Sequence, residues 1–267
     1  MTELGAQVPG RAPLFSVITV VLNDEAGFRQ TMASLRMQEW RDYEWVVVDG
    51  GSADGTPSLL ADKSTGVDRW ISERDGGIYE AMQKGTDMAA GKWIVYMNAG
   101  DSFSSALALS AVAEHHAQHP DADVIFGGAT LVLPSGVRRY RPPRDLSRNI
   151  WRALPANHQA TYFMRTTLRD TAYDTSYRIA GDYALVASLY RAGVTPTYLD
   201  RSLVDFRVGD LSSRHPWKLL NEGTRVQRQI LGLSRARSVA SYLRRAVSIF
   251  GMRLLSTRVF RRRGGVQ

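Results

Sequence analysis

Carboxylates recur at one kind of place in this chain. The apolar run Phe15–Val21 stops at Asn23-Asp24, and Glu44–Val48 stops at Asp49-Gly50-Gly51-Ser52. Val67–Ile71 ends at Ser72-Glu73-Arg74-Asp75, and Lys92–Met97 at Asn98-Ala99-Gly100-Asp101. Several carboxylates together repel a diphosphate, but they take up a hard divalent cation whose remaining ligands are phosphate oxygens. Mg²⁺ or Mn²⁺ held in this way stabilises the charge that develops on a leaving diphosphate. Displacement at a carbon by a hydroxyl also needs a base, which a further carboxylate can supply.

The elements that must position these groups follow from periodicity. The four apolar runs read as buried strands, with helices expected over Glu25–Gln38, from Asp54-Gly55-Thr56-Pro57 onward, and over Gly77–Met88. Strand and helix in alternation predict an α/β fold, a mostly parallel sheet with helices on both faces. Ligands in such sheets sit at the carboxyl ends of the strands, where the acidic residues fall. Further on, a helix is expected over Ala106–His119, a strand over Asp123–Phe126, and a hairpin of Ala129–Leu133 with Val137–Arg141. Thr161–Met164 and Thr197–Phe206 read as strands, Tyr177–Ile179 as strand-like and Tyr183–Arg191 as a helix. Asp54 reads as a helix cap, and Tyr79 and Met82 as core. The triad His115, His116 and His119 lacks the glutamate of HExxH and reads as a solvated helix face. No GxxxxGK[ST] is present and no GxGxxG follows the first strand, which argues against a P-loop and a dinucleotide fold.

Six segments in order now carry a resemblance. Phe15–Asn23 followed by the stretch Val48–Thr56 resembles the opening of the family-2 glycosyltransferases of GT-A fold. Ser72–Gly85, with its Asp75-Gly76-Gly77-Ile78-Tyr79 centre, looks like a subgroup signature from exopolysaccharide, O-antigen and glycolipid assembly. Asn98-Ala99-Gly100-Asp101, His158-Gln159 and Ala180-Gly181-Asp182-Tyr183 continue it. The resemblance implies an inverting transfer of sugar from a nucleotide-diphosphate-sugar, with Asp49 and Asp75 on the nucleoside and Asn98 near the ribose. Val20, Asn23, Gly50, His158 and Gln159 complete the implied donor contacts, Asp101 the metal contact, and Asp182 the catalytic base. His158 reads equally as a structural residue and Asp75 equally as a helix cap; Asp182 also sits where a cap would, so its role as base follows from the resemblance. In place of the commoner DxD, Asn98 and Gly100 stand where two acids are usual.

Composition bounds the rest. There are no cysteines, which removes disulfides and thiolate chemistry, and 267 residues allow one large core. Residues 1–13 are expected to be a flexible tail, 14–207 the catalytic domain and 208–267 a basic helical region. From Leu211 to Gln267 thirteen arginines and lysines face one acid, Glu222, within a chain of net charge +8. A helix over Val239–Phe250 would carry Val239, Leu243, Ala246, Val247 and Phe250 on one side, with Arg237, Arg244 and Arg245 opposite. That pattern suits an anionic membrane surface, met peripherally from the cytoplasmic side by a chain without a spanning segment; the duller reading is a helix packed on the body. Nucleic acid is not expected, since no binding module accompanies the charge. The expected acceptor is a lipid-linked oligosaccharide or glycolipid. Two other functions stay open: a sugar nucleotidyltransferase, which lacks its phosphate loop here, and a sugar-nucleotide-binding or scaffold protein with a degenerate site.

Overall fold

The computed structural model describes residues 11–133, 136–207 and 215–247. Strands β1 (Phe15–Val21), β2 (Tyr43–Asp49), β3 (Arg69–Ser72) and β4 (Trp93–Tyr96) are joined through helices α1 (Glu25–Arg36), α2 (Thr56–Ala61) and α3 (Ile78–Met88). All pair in parallel, β1 between β2 and β4, with β3 outside β2. β1 and β4 are covered on both faces, which is why their apolar runs do not alternate. Successive residues face opposite layers. Ile18, Val46, Val48, Ile94 and Tyr96 pack under α3, whereas Val17, Trp45, Val47 and Val95 share the other layer with Phe28 and Leu35 of α1. Helix α3 lies very close to β1: a Cβ on Gly85 would sit 2.4 Å from Ile18 Cγ2.

The chain then adds β5 (Ser102–Phe103), α4 (Ala108–Gln118), β6 (Val124–Leu133), β7 (Gly136–Tyr140), α5 (Leu146–Asn149), β8 (Thr161–Met164), α6 (Arg165–Arg169), α7 (Gly181–Ala192) and β9 (Pro196–Arg207). The described residues form one sheet in the order β3-β2-β1-β4-β8-β6-β9-β5, with β7 on β6. β8 runs antiparallel to β4 and to β6. Because β1 leads outward to β2 and β3 while β4 lies on its other side, the strand order reverses between β1 and β4. The crevice beyond those two carboxyl ends is the place such a sheet offers a ligand. The fold is the expected α/β arrangement.

Several local expectations change. Val124–Phe126 and Ala129–Leu133 belong to one strand, β6, which runs unbroken through Gly127-Gly128 while β9 bulges opposite them. A side chain at either glycine would strike Leu203 or the Arg201 carbonyl. Tyr177–Ile179 is not a strand: the Tyr177 amide bonds the Asp174 carbonyl, and those of Arg178 and Ile179 bond the Glu222 side chain. Gly55, not Asp54, holds the N-cap position of α2, and Asp54 instead accepts the Thr56 and Glu25 amides. The turn at Pro134-Ser135, most of the N-terminal tail (residues 1–10) and the arginines from Arg253 onward lie outside the described residues.

Helices α8 (Pro216–Gln229) and α9 (residues 235–247) follow. Buried Gln227 of α8 donates to the Trp151 and Arg152 carbonyls and to Ser241 Oγ of α9. Arg245, expected on the solvated side, instead points inward. Its guanidinium donates to Thr224 Oγ1 at 2.6 Å and lies against Gly223, where a Cβ would collide with it. Burial lowers its pKa from the ordinary value. The apolar stripe is left outside: Val239, Leu243 and Val247 are 58%, 59% and 73% exposed. Phe250 lies outside the described residues.

Candidate active site

A cleft of about 510 Å³ opens at the β1–β4 switch point. Val20, Val21 and Leu22 form one wall, and Asn98, Ala99 and Asp101 another. Four carboxylates face it, those of Asp24, Asp75, Asp101 and Asp182; among the described residues Arg178 is its one arginine or lysine. A diphosphate entering this cleft needs more positive charge than one guanidinium supplies.

The loop after β4 is fastened from α1. Buried Thr31 Oγ1 lies 3.0 Å and 2.8 Å from the Asn98 and Asp101 carbonyls and accepts the Gly100 amide. Gln30 donates to the Gly100 carbonyl. Gly100 adopts φ +92°, a left-handed conformation that glycine takes without strain. This turns the loop so that Asp101, almost buried, receives the side-chain amide of Gln159 at 2.9 Å. Asn98 Oδ1 is buried without a hydrogen-bond partner. Among the described residues no three acidic or histidine side chains form a self-sufficient metal site. The loop's donors, one carboxylate and one orphaned amide oxygen, fit a hard cation that draws its other ligands from phosphate and water.

Opposite stands Asp182, in the first turn of α7 and not at its cap, which is Ala180. Burial pushes its carboxyl up to about 6, partly offset by the Tyr183 amide. Gly181 permits this: a Cβ there would sit 2.6 Å from the Tyr79 ring. Tyr79 OH donates to the Ile179 carbonyl at 2.6 Å, so the helix α3 that lines the cleft also holds the loop before α7. His158 lies buried, stacked on Tyr96 at 4.9 Å with Nε2 3.3 Å from Tyr173 OH. Burial lowers its pKa to about 4, so it meets a ligand as a neutral ring.

The expected residues therefore divide. Val20, Asp75, Asn98, Asp101, His158, Gln159 and Asp182 line the cleft, and Asn23, Asp49 and Gly50 do not. Asp49 is fully buried, its oxygens taken by Ser52 and Ser72. Asn23, at φ +51°, accepts the Ala53 amide and ties the loop after β1 to the loop after β2. Gly50 gives room to Asp75, whose Oδ2 would lie 2.8 Å from a Cβ there. Asp75 accepts the Gly77 amide, so it fixes the turn into α3 while facing the cleft. Sequence reasoning missed Arg178, Asn157 and Phe206, which reach the cleft from loops and a strand end with no periodic signal.

An open α/β sheet with an acid-lined cleft at its switch point is the framework of a nucleotide-handling enzyme. Glycosyl transferase family 2 matches residues 16–182. The PGL/p-HBAD biosynthesis glycosyltransferase of Mycobacterium bovis is 32% identical over 176 residues, 64% of this chain and 68% of that protein. EpsJ of Bacillus subtilis, an uncharacterized glycosyltransferase, is 26% identical over 73% of this chain and 61% of its own length. Among solved structures, S. aureus TarS 1–349 in complex with UDP superposes with a TM-score of 0.67 at 19% identity, over 88% of this chain and 72% of that one. The mannosyltransferase PcManGT of Pyrobaculum calidifontis, in complex with GDP-Man and Mn²⁺, gives 0.62 at 17% identity, over 96% and 82%. The chain belongs to glycosyl transferase family 2 and is a glycosyltransferase.

Proposed function

We propose that the protein transfers a sugar from a nucleotide-diphosphate-sugar to a hydroxyl with inversion, in the cleft between β1 and β4. The observation that carries this reading is the pairing of chemistries across one cleft. On one wall a rigid loop presents Asp101 and Asn98; on the other Asp182 has a pKa of about 6. A base with that pKa is ionised at neutral pH yet keeps the basicity to accept a proton. The acceptor hydroxyl gives its proton to Asp182 as its oxygen bonds the sugar carbon. The bond from that carbon to the diphosphate breaks, and a single displacement inverts the configuration. Asp75 binds the nucleoside and Asn98 the ribose, while Arg178 and the neutral His158 and Gln159 border the diphosphate. Asp101, with Asn98 beside it, would hold Mg²⁺ or Mn²⁺; when bound, the ion neutralises charge on the leaving diphosphate.

The acceptor in this reading is lipid-linked or a glycolipid, met at an anionic membrane surface on its cytoplasmic side. Residues 14–207 then form the catalytic domain, and the basic helices beyond 208 dock. Exposed Val239, Leu243 and Val247, with arginines at 235, 237 and 244 and no acid on α9, are suited to an anionic interface. No helix among the described residues is long and apolar enough to cross a membrane.

The test is a panel of UDP-, GDP- and dTDP-sugars scored for thermal stabilisation with and without Mn²⁺. A bound donor raises the melting temperature by mass action, and one nucleotide class should stand out with Mn²⁺. A flat panel contradicts the reading.

A further inference from the structure

From Leu211 onward the chain contains one acid, and it is not on the surface. Glu222 of α8 is buried, and its carboxylate accepts three successive backbone amides of the loop before α7. Oε2 receives Ile179 N at 2.8 Å, Ala180 N at 2.9 Å and Arg178 N at 3.1 Å, and Oε1 also lies 3.1 Å from Arg178 N. The N-cap residue of α7, Ala180, makes no side-chain cap of its own, and Glu222, 42 residues on, takes its amide together with the two before it. The same loop is held on its other side by Tyr79 OH at the Ile179 carbonyl and by Arg178 Nη1 at the Gly76 carbonyl. Asp182 follows two residues after this bracket, and Arg178 lies within it.

We propose that Glu222 is a positioning residue for transfer: the C-terminal helix α8 sets the loop 178–180, and through it both Arg178 and Asp182. The inference rests on the reading of Asp182 as the base. It makes the tail part of the active-site framework as well as a docking element. Three amides directed at one point fix the backbone closely, and displacing a reacting group by about 1 Å costs on the order of 10²-fold in rate. Glu222 also acts by charge. The ionisable groups that act on Asp182 are Tyr79 of α3, Tyr173 and Glu222. Burial raises both phenols well above their ordinary values, so they remain neutral, and the negative Glu222 raises Asp182 further.

The experiment uses the full chain and three variants, Glu222→Ala, Glu222→Gln and Asp182→Asn. Amide hydrogen exchange is followed over residues 176–182, together with nucleoside diphosphate release from the donor selected by the thermal panel. Glu222→Ala should speed exchange at 178–180 and lower kcat by roughly 10–100-fold, with a smaller rise in donor KM as Arg178 is displaced. Glu222→Gln keeps an acceptor oxygen for the amides but removes the charge. It should restore most of kcat while the acid limb of the pH profile moves to lower pH, a shift that a purely structural contact would not cause. If Glu222→Ala does not fold, Glu222→Gln alone carries the exchange and pH readouts. Unchanged exchange and unchanged kcat in a folded Glu222→Ala protein, or an unmoved acid limb in Glu222→Gln, overturns the proposal. Asp182→Asn separates the two readings: retained turnover there removes the base assignment, while exchange still reports whether Glu222 holds the loop.

Discussion

Gln159 donates its side-chain amide to Asp101 at 2.9 Å, joining the segment before β8 to the loop after β4 across the cleft. The contact fixes the position of one carboxylate oxygen.

Asp101→Ala should therefore abolish the Mn²⁺-dependent part of donor binding while leaving the fold intact. Isothermal titration of the donor with and without Mn²⁺ reads this directly. Unchanged affinity and an unchanged metal response would remove Asp101 from the metal reading.

Thr31 never touches the cleft, yet its hydroxyl fastens three backbone groups of the 98–101 loop. Thr31→Val keeps the shape and leaves those groups short of a partner, at a cost of about 1–3 kcal/mol. Denaturant unfolding should show that loss, and donor KM should rise several-fold. A variant with wild-type stability would show that water replaces the hydroxyl.

Asp182 also has a signed effect on stability. Its pKa is near 6 in the folded protein against 3.8 for the ordinary carboxyl. The folded state therefore binds the proton more tightly, and this contribution to stability is lost as pH rises from about 4 through 6. Asp182→Asn should be more stable than wild type at pH 7–8, by on the order of 3 kcal/mol, and close to it at pH 4. Equal stability at both pH values would show that the carboxylate is not desolvated.

The first four strands and their acidic ends were legible because buried parallel strands are continuous apolar runs, and the ligand end of such a sheet is fixed by its topology. What those acids do was less legible. Asp49 occupies the expected strand end, but Ser52 and Ser72 take its oxygens, a pairing that spacing alone does not reveal. Gly127-Gly128 resembles a breaker and is continuous strand, because the glycines yield space to the bulged β9. Arg178 and Glu222 act through contacts 40 to 100 residues apart in sequence, which leave no local period. On α9 the stripes were readable and their orientation was not, since small Ser238 and Ser241 pack inward and carry Arg245 with them.

Replacing Val239, Leu243 and Val247 together by Ser should leave the melting temperature unchanged, because these side chains are already exposed. Half-burying each in a bilayer interface is worth about 1 kcal/mol, so binding to phosphatidylglycerol vesicles should fall roughly 100-fold. Wild-type binding should also weaken with salt. Equal co-sedimentation of the two proteins would count against the docking face.

Whether Asp182 is the base of a sugar transfer in the β1–β4 cleft can be read from a single pH series. Nucleoside diphosphate release from the donor is recorded for wild type and Asp182→Asn between pH 5 and 8. Wild type should lose activity below an acid limb near pH 6, where Asp182 takes up its proton. The variant should bind donor as before and turn over roughly 10²–10⁴-fold more slowly, without that limb. Turnover at the wild-type rate with the limb still at pH 6 would contradict the account.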